Sequence, residues 1–416
     1  MADEETYEES EDSSDAEDSY DEGEDSDSFV DTEGSDDSYT EVTHQSWGSR
    51  LQEQAGKSVA GFVLFLAAFP LLFWNEGRVV DITTALEEGK GAVIPVIADA
   101  VDASNNGKLI HFTGDATTDD VLTDLDFGIE ASAIKLRRVT EMYQWEEEKE
   151  ERKEKVSGGS ERTVTTYKYK KVWSEDHINS GSFHRKASKG RKNPASIAYE
   201  SNMSVAGRIV VGAFQLSTSL VKKIDAYEEL RLPGSVIEQI GGRTVHRMGN
   251  GLYVGADPSA SEIGDLKVRF EVVPTPIEVS VVSRQKGNRL EPYLSKTGTV
   301  ELLQVGLASA DLMFNKAEEE LALETWILRL AGIVAMALGL SLLFKILETV
   351  IDRIPYVGIH IGTVLGTGTT LVAILIALPL ALLTIAVAWF AARPILSIVL
   401  LLLAAGGFFG MRKLAK

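Results

Sequence analysis

The sequence predicts a membrane α+β protein: four transmembrane helices, with a large β-rich extracytoplasmic or lumenal domain inserted between the first and the second. Three observations predict it. A lone uncharged run occupies residues 59–74, a block of such runs fills residues 326–411, and the roughly 250 residues between them are polar and mixed.

The chain opens on acid. Residues 1–41 hold 20 of the 62 Asp and Glu residues, and the first Lys or Arg is Arg50. The net charge of −21 therefore belongs to the tail, and the 42 acids and 41 bases of the rest nearly balance. A near-neutral body argues against nucleic acid as a partner. With almost no aliphatic side chains before Phe29, residues 1–45 are expected to be a disordered acidic tail, because they cannot bury enough apolar surface to offset chain entropy.

The first span is residues 58–74, short and interrupted by Pro70, with Lys57 before it and the polar Asn75, Glu76, Gly77 and Arg78 after it. Gly77 is expected to permit a backbone turn as the chain leaves the bilayer, with Arg78 reaching lipid phosphates or pairing with Glu76. These four residues are the candidate contacts with the membrane interface or a partner. A short helical stretch over residues 81–90 follows.

Residues 75–325 form the β-rich domain. Period-two alternation is clear in KVRFEVV and IEVSVVSRQ, as in antiparallel sheet with one covered face. A long hairpin is expected to fold about residues 157–160, setting Glu146 near Lys171 and Glu147 near Lys170, with Tyr143, Trp145, Tyr167, Tyr169 and Trp173 as aromatic mass. Residues 309–325 read as a helix leading into the second span, 326–347, which opens with Trp326 and Arg329 at the interface.

Residues 354–392 contain no Asp, Glu, Lys or Arg. Their glycines assign 354–363 to an interfacial or re-entrant segment and 364–390 to the third span. The fourth span is 395–410. Gly358, Gly362, Gly366, Gly332 and Gly339 are the candidate helix-packing positions, small residues that let helices approach closely. Four spans bring Arg50, Lys57, Lys345, Arg353, Arg412, Lys413 and Lys416 to one face, which the positive-inside rule makes cytosolic. A five-span alternative would split 354–392 in two.

No catalytic residue, cofactor site or metal site is assigned. The chain lacks cysteine, its six histidines are scattered, and no nucleophile elbow, P-loop or dinucleotide fingerprint is present. The spans also lack mid-depth ionisable groups, which a channel would ordinarily show. The residues assign no chemistry, and a non-enzymatic membrane scaffold is the leading reading. The alternative is a membrane-interface enzyme or lipid-handling protein with a site around Asn75, Glu76, Arg78 and the strand Lys135, Leu136, Arg137, Arg138. A channel is third.

Several segments together resemble one family. They are FWNEGR at 73–78, KLRR at 135–138 with EMYQW at 141–145, INS at 178–180 with Phe183 and Asn193-Pro194, GDLKVRF at 264–270, SRQKGN at 283–288 and SKTG at 295–298. The chain is similar in these to the transmembrane protein 43 family, also called LUMA, over residues 47–414. The resemblance implies a four-span protein with a lumenal domain that self-associates and organises membrane protein complexes, lamins and emerin among them. It implies the endoplasmic reticulum or inner nuclear membrane in a eukaryote, and the cytoplasmic membrane in a prokaryotic member. Partners are the lipid bilayer, further copies of the chain and other membrane proteins.

Overall fold

The computed structural model describes residues 29–32, 38–155, 161–184, 190–351, 358–390 and 394–414. The helical part comprises α1 (Trp47–Ala92), α2 (Ala310–Ile351), α3 (Gly358–Trp389) and α4 (Pro394–Leu414). The first three are long and apolar enough to cross a membrane, and α4 carries a shorter apolar stretch, Ser397–Gly406.

The expected turn at Gly77 is absent. Gly77 and residues 81–90 both lie inside α1, which runs 46 residues without interruption. Nothing ends the helix at Gly77, because tertiary packing of the face carrying Val79, Ala85 and Leu86 overrides the weak helix propensity of the β-branched residues beyond it. Residues 309–325, expected to be a helix leading into the second span, are helical from Ala310 and continuous with that span in α2. Residues 358–363, expected to be interfacial or re-entrant, are helical turns of α3, and 354–357 lie outside the described residues.

α1 and α2 run antiparallel and are pinned along their length by side chains reaching across. Trp47 Nε1 donates to Thr349 O at 2.8 Å, Ser58 Oγ to Leu342 O at 3.0 Å and Lys90 Nζ to Asn315 Oδ1 at 2.9 Å. Ala373, Ala377 and Ala381 of α3, spaced by four and wholly buried, pack with Ala68, Leu72, Met336 and Leu340. A stripe of small residues allows this close three-helix contact.

The β-rich domain is built on two sheets. The larger contains β1 (Phe29–Thr32), β2 (Ser38–Gln45), β4 (Ile129–Lys155), β5 (Glu161–Ser174), β6 (Gly251–Val254) and β7 (Leu266–Pro274), in the order β1-β2-β5-β4-β7-β6. The smaller centres on β8 (Ile277–Lys286), which pairs antiparallel with both β3 (Leu109–Thr117) and β9 (Leu302–Val305). Leu266, Val268, Phe270 and Val272 of β7 are buried at period two and share one core with Ile110 and Phe112 of β3 and Val279 and Val281 of β8. Ala85 and Leu86 of α1 pack with Leu109 and Val282 of the smaller sheet, with Val300 of a separate two-stranded pairing and with Phe314 of α2, so helices and domain share a second core.

β4 and β5 make the expected ribbon in a register one residue from expectation. Glu146 faces Lys170 and Glu147 faces Tyr169, with Lys170 pairing to Glu146 at 3.2 Å and to Glu148. The aromatic residues decide the register: Tyr143 stands opposite Trp173 with ring centroids 5.0 Å apart, and Lys171 Nζ lies 5.1 Å from the Trp145 ring. Residues 156–160 of the expected turn are outside the described residues.

The tail is not disordered as far as residue 45. β2 pairs with β5 from Ser38↔Lys168 to Gln45↔Glu161, burying Tyr39 and Val42. Tyr39 and Tyr167 both stack on His184, centroids 5.3 and 4.1 Å away. The sequence SYTEVTHQ is rich in β-branched residues and alternates, so it adds a strand to the edge of β5, with β1 paired on its other side. The ribbon then reaches the start of α1, where Glu161 lies 3.6 Å from the buried Arg50 and Gln45 Nε2 donates to Glu53.

One titrating group in the domain gives a pH test. Tyr253 is fully buried, and its hydroxyl donates to Asp265 Oδ2 at 2.5 Å; burial first, then this hydrogen bond, pushes its pKa up to about 12. An unfolded tyrosine ionises near about 10. The stability contributed by neutral Tyr253 is therefore complete below about pH 10 and is lost as pH rises towards about 12. The melting temperature of the detergent-solubilised protein should fall across that window, and the fall should shrink in Tyr253→Phe. An identical alkaline decline in the variant would assign it to other groups.

Candidate functional site

The polar residues that close the first apolar run stand where helices and domain meet. Leu72, Asn75, Glu76 and Val79 are spaced by three and four, so they share the face of α1 that looks into the bundle, and all four are buried. Asn75 and Glu76 are completely inaccessible. A carboxylate there would carry a heavy desolvation cost unless paired.

Glu76 is paired by two other helices. Arg329 of α2 donates from Nε to Oε1 and from Nη2 to Oε2, both at 2.7 Å, in the bidentate geometry that arginine supplies. Trp389 of α3 donates its Nε1 to Oε2, and Asn75 Nδ2 reaches Oε1 at 3.5 Å and Thr325 O at 3.4 Å. Val79, Leu321, Ile385 and Trp389 form the apolar layer around this group. The carboxylate thus ties α1, α2 and α3 together. With both oxygens taken by arginine and indole donors, it is arranged to hold helices rather than to abstract a proton.

Arg78 does not pair with Glu76. It points to the other side of α1, donating from Nη1 and Nη2 to Glu324 Oε2 at 3.2 Å and lying 5.9 Å from the Trp74 ring. Glu324 is exposed, so the pair contributes roughly 0–1 kcal/mol. Gly77 faces open space and makes no turn.

The strand offered as the other half of an interfacial site is occupied inside the domain. Lys135 Nζ donates to Ile224 O at 2.6 Å and Lys222 O at 3.3 Å, and burial pushes its pKa down. Arg137 pairs with Glu271 and lies 4.1 Å from the Tyr227 ring. Arg138 binds Asp124 at 2.9 Å, Asp126 at 2.7 Å and Glu200 O. These contacts brace β4 against its neighbours, and none of them leads to Asn75–Arg78. Among the described residues no group of three or more His, Asp or Glu could hold a metal ion.

Among the glycines, Gly339 and Gly61 face each other across α1 and α2. A Cβ on Gly339 would come within 2.6 Å of Gly61 O and 2.7 Å of Phe65 N, and one on Gly332 within 2.5 Å of the Leu72 side chain. The surroundings of Gly358, Gly362 and Gly366 lie outside the described residues. Gly61 escaped the sequence reading, although it sits in an apolar run where small residues signal contact. Arg329 was read as an interfacial residue and Trp389 not at all. The available signal was one arginine just inside an uncharged run, which asks for an acidic partner at the same depth.

Beside the Glu76 group, α1 and α2 part to leave an open cleft of about 330 Å³. Arg329, Trp326 and Trp389 line its inner end, and Glu87 and Glu318 stand further out towards the domain.

The family model for transmembrane protein 43 matches residues 142–394, which include Arg329 and Trp389. Transmembrane protein 43 of Homo sapiens is 36% identical over 358 residues, covering 83% of this chain and 87% of that protein. The chain belongs to the transmembrane protein 43 family. The Mus musculus protein is 35% identical over 358 residues, and the transmembrane protein 43 homolog of Drosophila melanogaster 31% over 356, covering 84% of this chain and 92% of the fly protein. No solved structure matches the chain. The chain is thus a membrane protein of this family, with a large β-rich domain between its first two long apolar helices.

Proposed function

We propose that this member of the transmembrane protein 43 family is a non-enzymatic, multi-pass scaffold that self-associates and organises other membrane proteins. The observation that carries the reading is the junction itself. α1 and α2 pass unbroken from bundle to domain, and Asn75, Glu76, Arg329 and Trp389 are spent on fixing that passage. A rigid connection of this kind suits a protein that holds partners at a set distance from the bilayer. Around the bundle, Val59, Phe62, Val63 and Leu66 of α1 and Leu330, Val334 and Leu338 of α2 are exposed, leaving apolar faces for lipid or for neighbouring helices. The membrane is that of the endoplasmic reticulum or nuclear envelope in a eukaryotic host. Reconstituted at low density in nanodiscs and counted by single-molecule photobleaching, the protein should give oligomers. A purely monomeric distribution would reject self-association.

The topology of the reading is four spans, with the termini cytosolic and the domain on the opposite side. It imposes a choice on the ribbon. β4 and β5 run from the domain core to Arg50 at the start of α1, so within a bilayer around residues 58–74 the exposed charges of the ribbon, Glu148 and Lys170 among them, would meet acyl chains, which cannot solvate them. The four-span topology and the contact of Glu161 with Arg50, 3.6 Å apart, are mutually exclusive, because a bilayer around residues 58–74 would come between them. The natural absence of cysteine makes this testable. Arg50→Cys with Glu161→Cys should cross-link in detergent and fail to do so in liposomes. Efficient cross-linking in liposomes would show that α1 does not separate these two residues, and would overturn the topology.

A further inference from the structure

We propose that the cleft between α1 and α2 is a binding site for the headgroup of a zwitterionic phospholipid. The inference rests on the membrane anchoring of the two helices and not on the scaffold reading.

Depth is the first argument. Trp74 and Trp326 are 57% and 66% exposed beside the Glu76 group, and exposed tryptophans on apolar helices settle at the headgroup level of a bilayer. The cleft opens at that level and extends towards the domain.

Charge is the second. At the inner end Arg329 commits Nε and Nη2 to Glu76, and Nη1 has no acceptor among the described residues, which leaves a donor for a phosphate oxygen next to the cleft. At the outer end Glu87 and Glu318 line the walls, and neither has an ion-pair partner among the described residues. Two carboxylates beyond a single arginine disfavour a purely anionic ligand. They favour one that carries a phosphate inside and an ammonium outside.

Length is the third. Glu318 and Arg329 are roughly 16 Å apart along α2, at about 1.5 Å per residue. Both side chains lean towards the helix N-terminus, and the longer arginine shortens the gap. The remaining distance suits a phosphate and an ammonium separated by an ethyl group, each with its own hydrogen-bonded or ion-paired contact. The Trp326 ring, 4.9 Å from the Arg329 guanidinium, holds that cation at the inner end of the cleft, while the acyl chains follow the exposed apolar faces of α1 and α2.

The test is native mass spectrometry of the full chain, delipidated in a non-ionic detergent and titrated with phosphatidylcholine or with phosphatidylglycerol of the same acyl chains. Wild type should retain phosphatidylcholine about tenfold more tightly, as expected for about one extra charge contact. Inorganic phosphate at millimolar concentration should not displace it. Glu87→Gln with Glu318→Gln should bring the two lipids to parity at an unchanged melting temperature. Should that double variant fail to fold, Glu318→Gln alone is used in its place, with a reduced preference for phosphatidylcholine expected. Equal binding of both lipids by wild type, a preference that survives in the folded variant, or displacement by free phosphate would each overturn the proposal. Oligomer size, read in the same spectra, reports separately on the scaffold.

Discussion

Glu76→Ala should collapse the packing of the helical bundle, lowering stability by about 3–5 kcal/mol, the effect of removing one partner from a buried ion pair. The variant leaves the Arg329 guanidinium and the Trp389 indole without their acceptor, at a point where three helices meet. In a thermal melt of detergent-solubilised protein this should appear as a large fall in midpoint and as aggregation on size exclusion. Glu76→Gln should be nearly as harmful, because an amide cannot neutralise the arginine. The double change Glu76→Leu with Arg329→Leu should recover most of the loss, since no charge then remains buried. If Glu76→Ala melts like wild type, the group does not hold the helices together.

Gly339→Ala should cost about 1–3 kcal/mol, the usual range for an overpacked contact. The new methyl would meet backbone atoms of Gly61 and Phe65 at 2.6 and 2.7 Å, and backbone inside a helix has nowhere to retreat. α1 and α2 would have to separate along the bundle. Gly61→Ala should behave alike, meeting Leu342 Cβ at 2.6 Å and Gly339 O at 2.8 Å. Gly77→Ala provides the contrast: it has open space within a helix and should stabilise by about 0.5–1 kcal/mol through reduced backbone entropy in the unfolded chain. Equal effects at Gly339 and Gly77 in the same melt would show that helix crossing is not limited by glycine.

The two predictions separate what can be read locally from what cannot. Uncharged runs announce three long apolar helices, because the hydrophobic requirement acts on every residue of a span and is visible in a window of twenty. Alternation in Leu266–Pro274 and Ile277–Lys286 announces antiparallel strands for a similar reason, since the pleat imposes period two on each residue. The ribbon was visible in composition, but its register was not: opposite charges tolerate a one-residue slip, and the facing of Tyr143 and Trp173 resolves it. The strand at Ser38–Gln45 was obscured by the acidic residues before it, since its partner β5 lies more than a hundred residues along the chain.

The junction shows the same division within a few residues. By itself, the sequence determined that Asn75, Glu76, Gly77 and Arg78 follow the first apolar run and that a charge there needs a partner. Tertiary structure alone decided which partner. Arg78, two residues away, looked available. On a continuous helix, however, residues i and i+2 point to opposite sides, so it turns to Glu324 while Glu76 faces the bundle. The cation that satisfies Glu76 arrives from 253 residues further along the chain, because the antiparallel packing of α1 on α2 brings Arg329 to the same height. Local pattern records that a buried carboxylate must be neutralised; which arginine does it is fixed by helix phase and by the crossing of helices at Gly61 and Gly339, neither of which is written in the neighbouring residues.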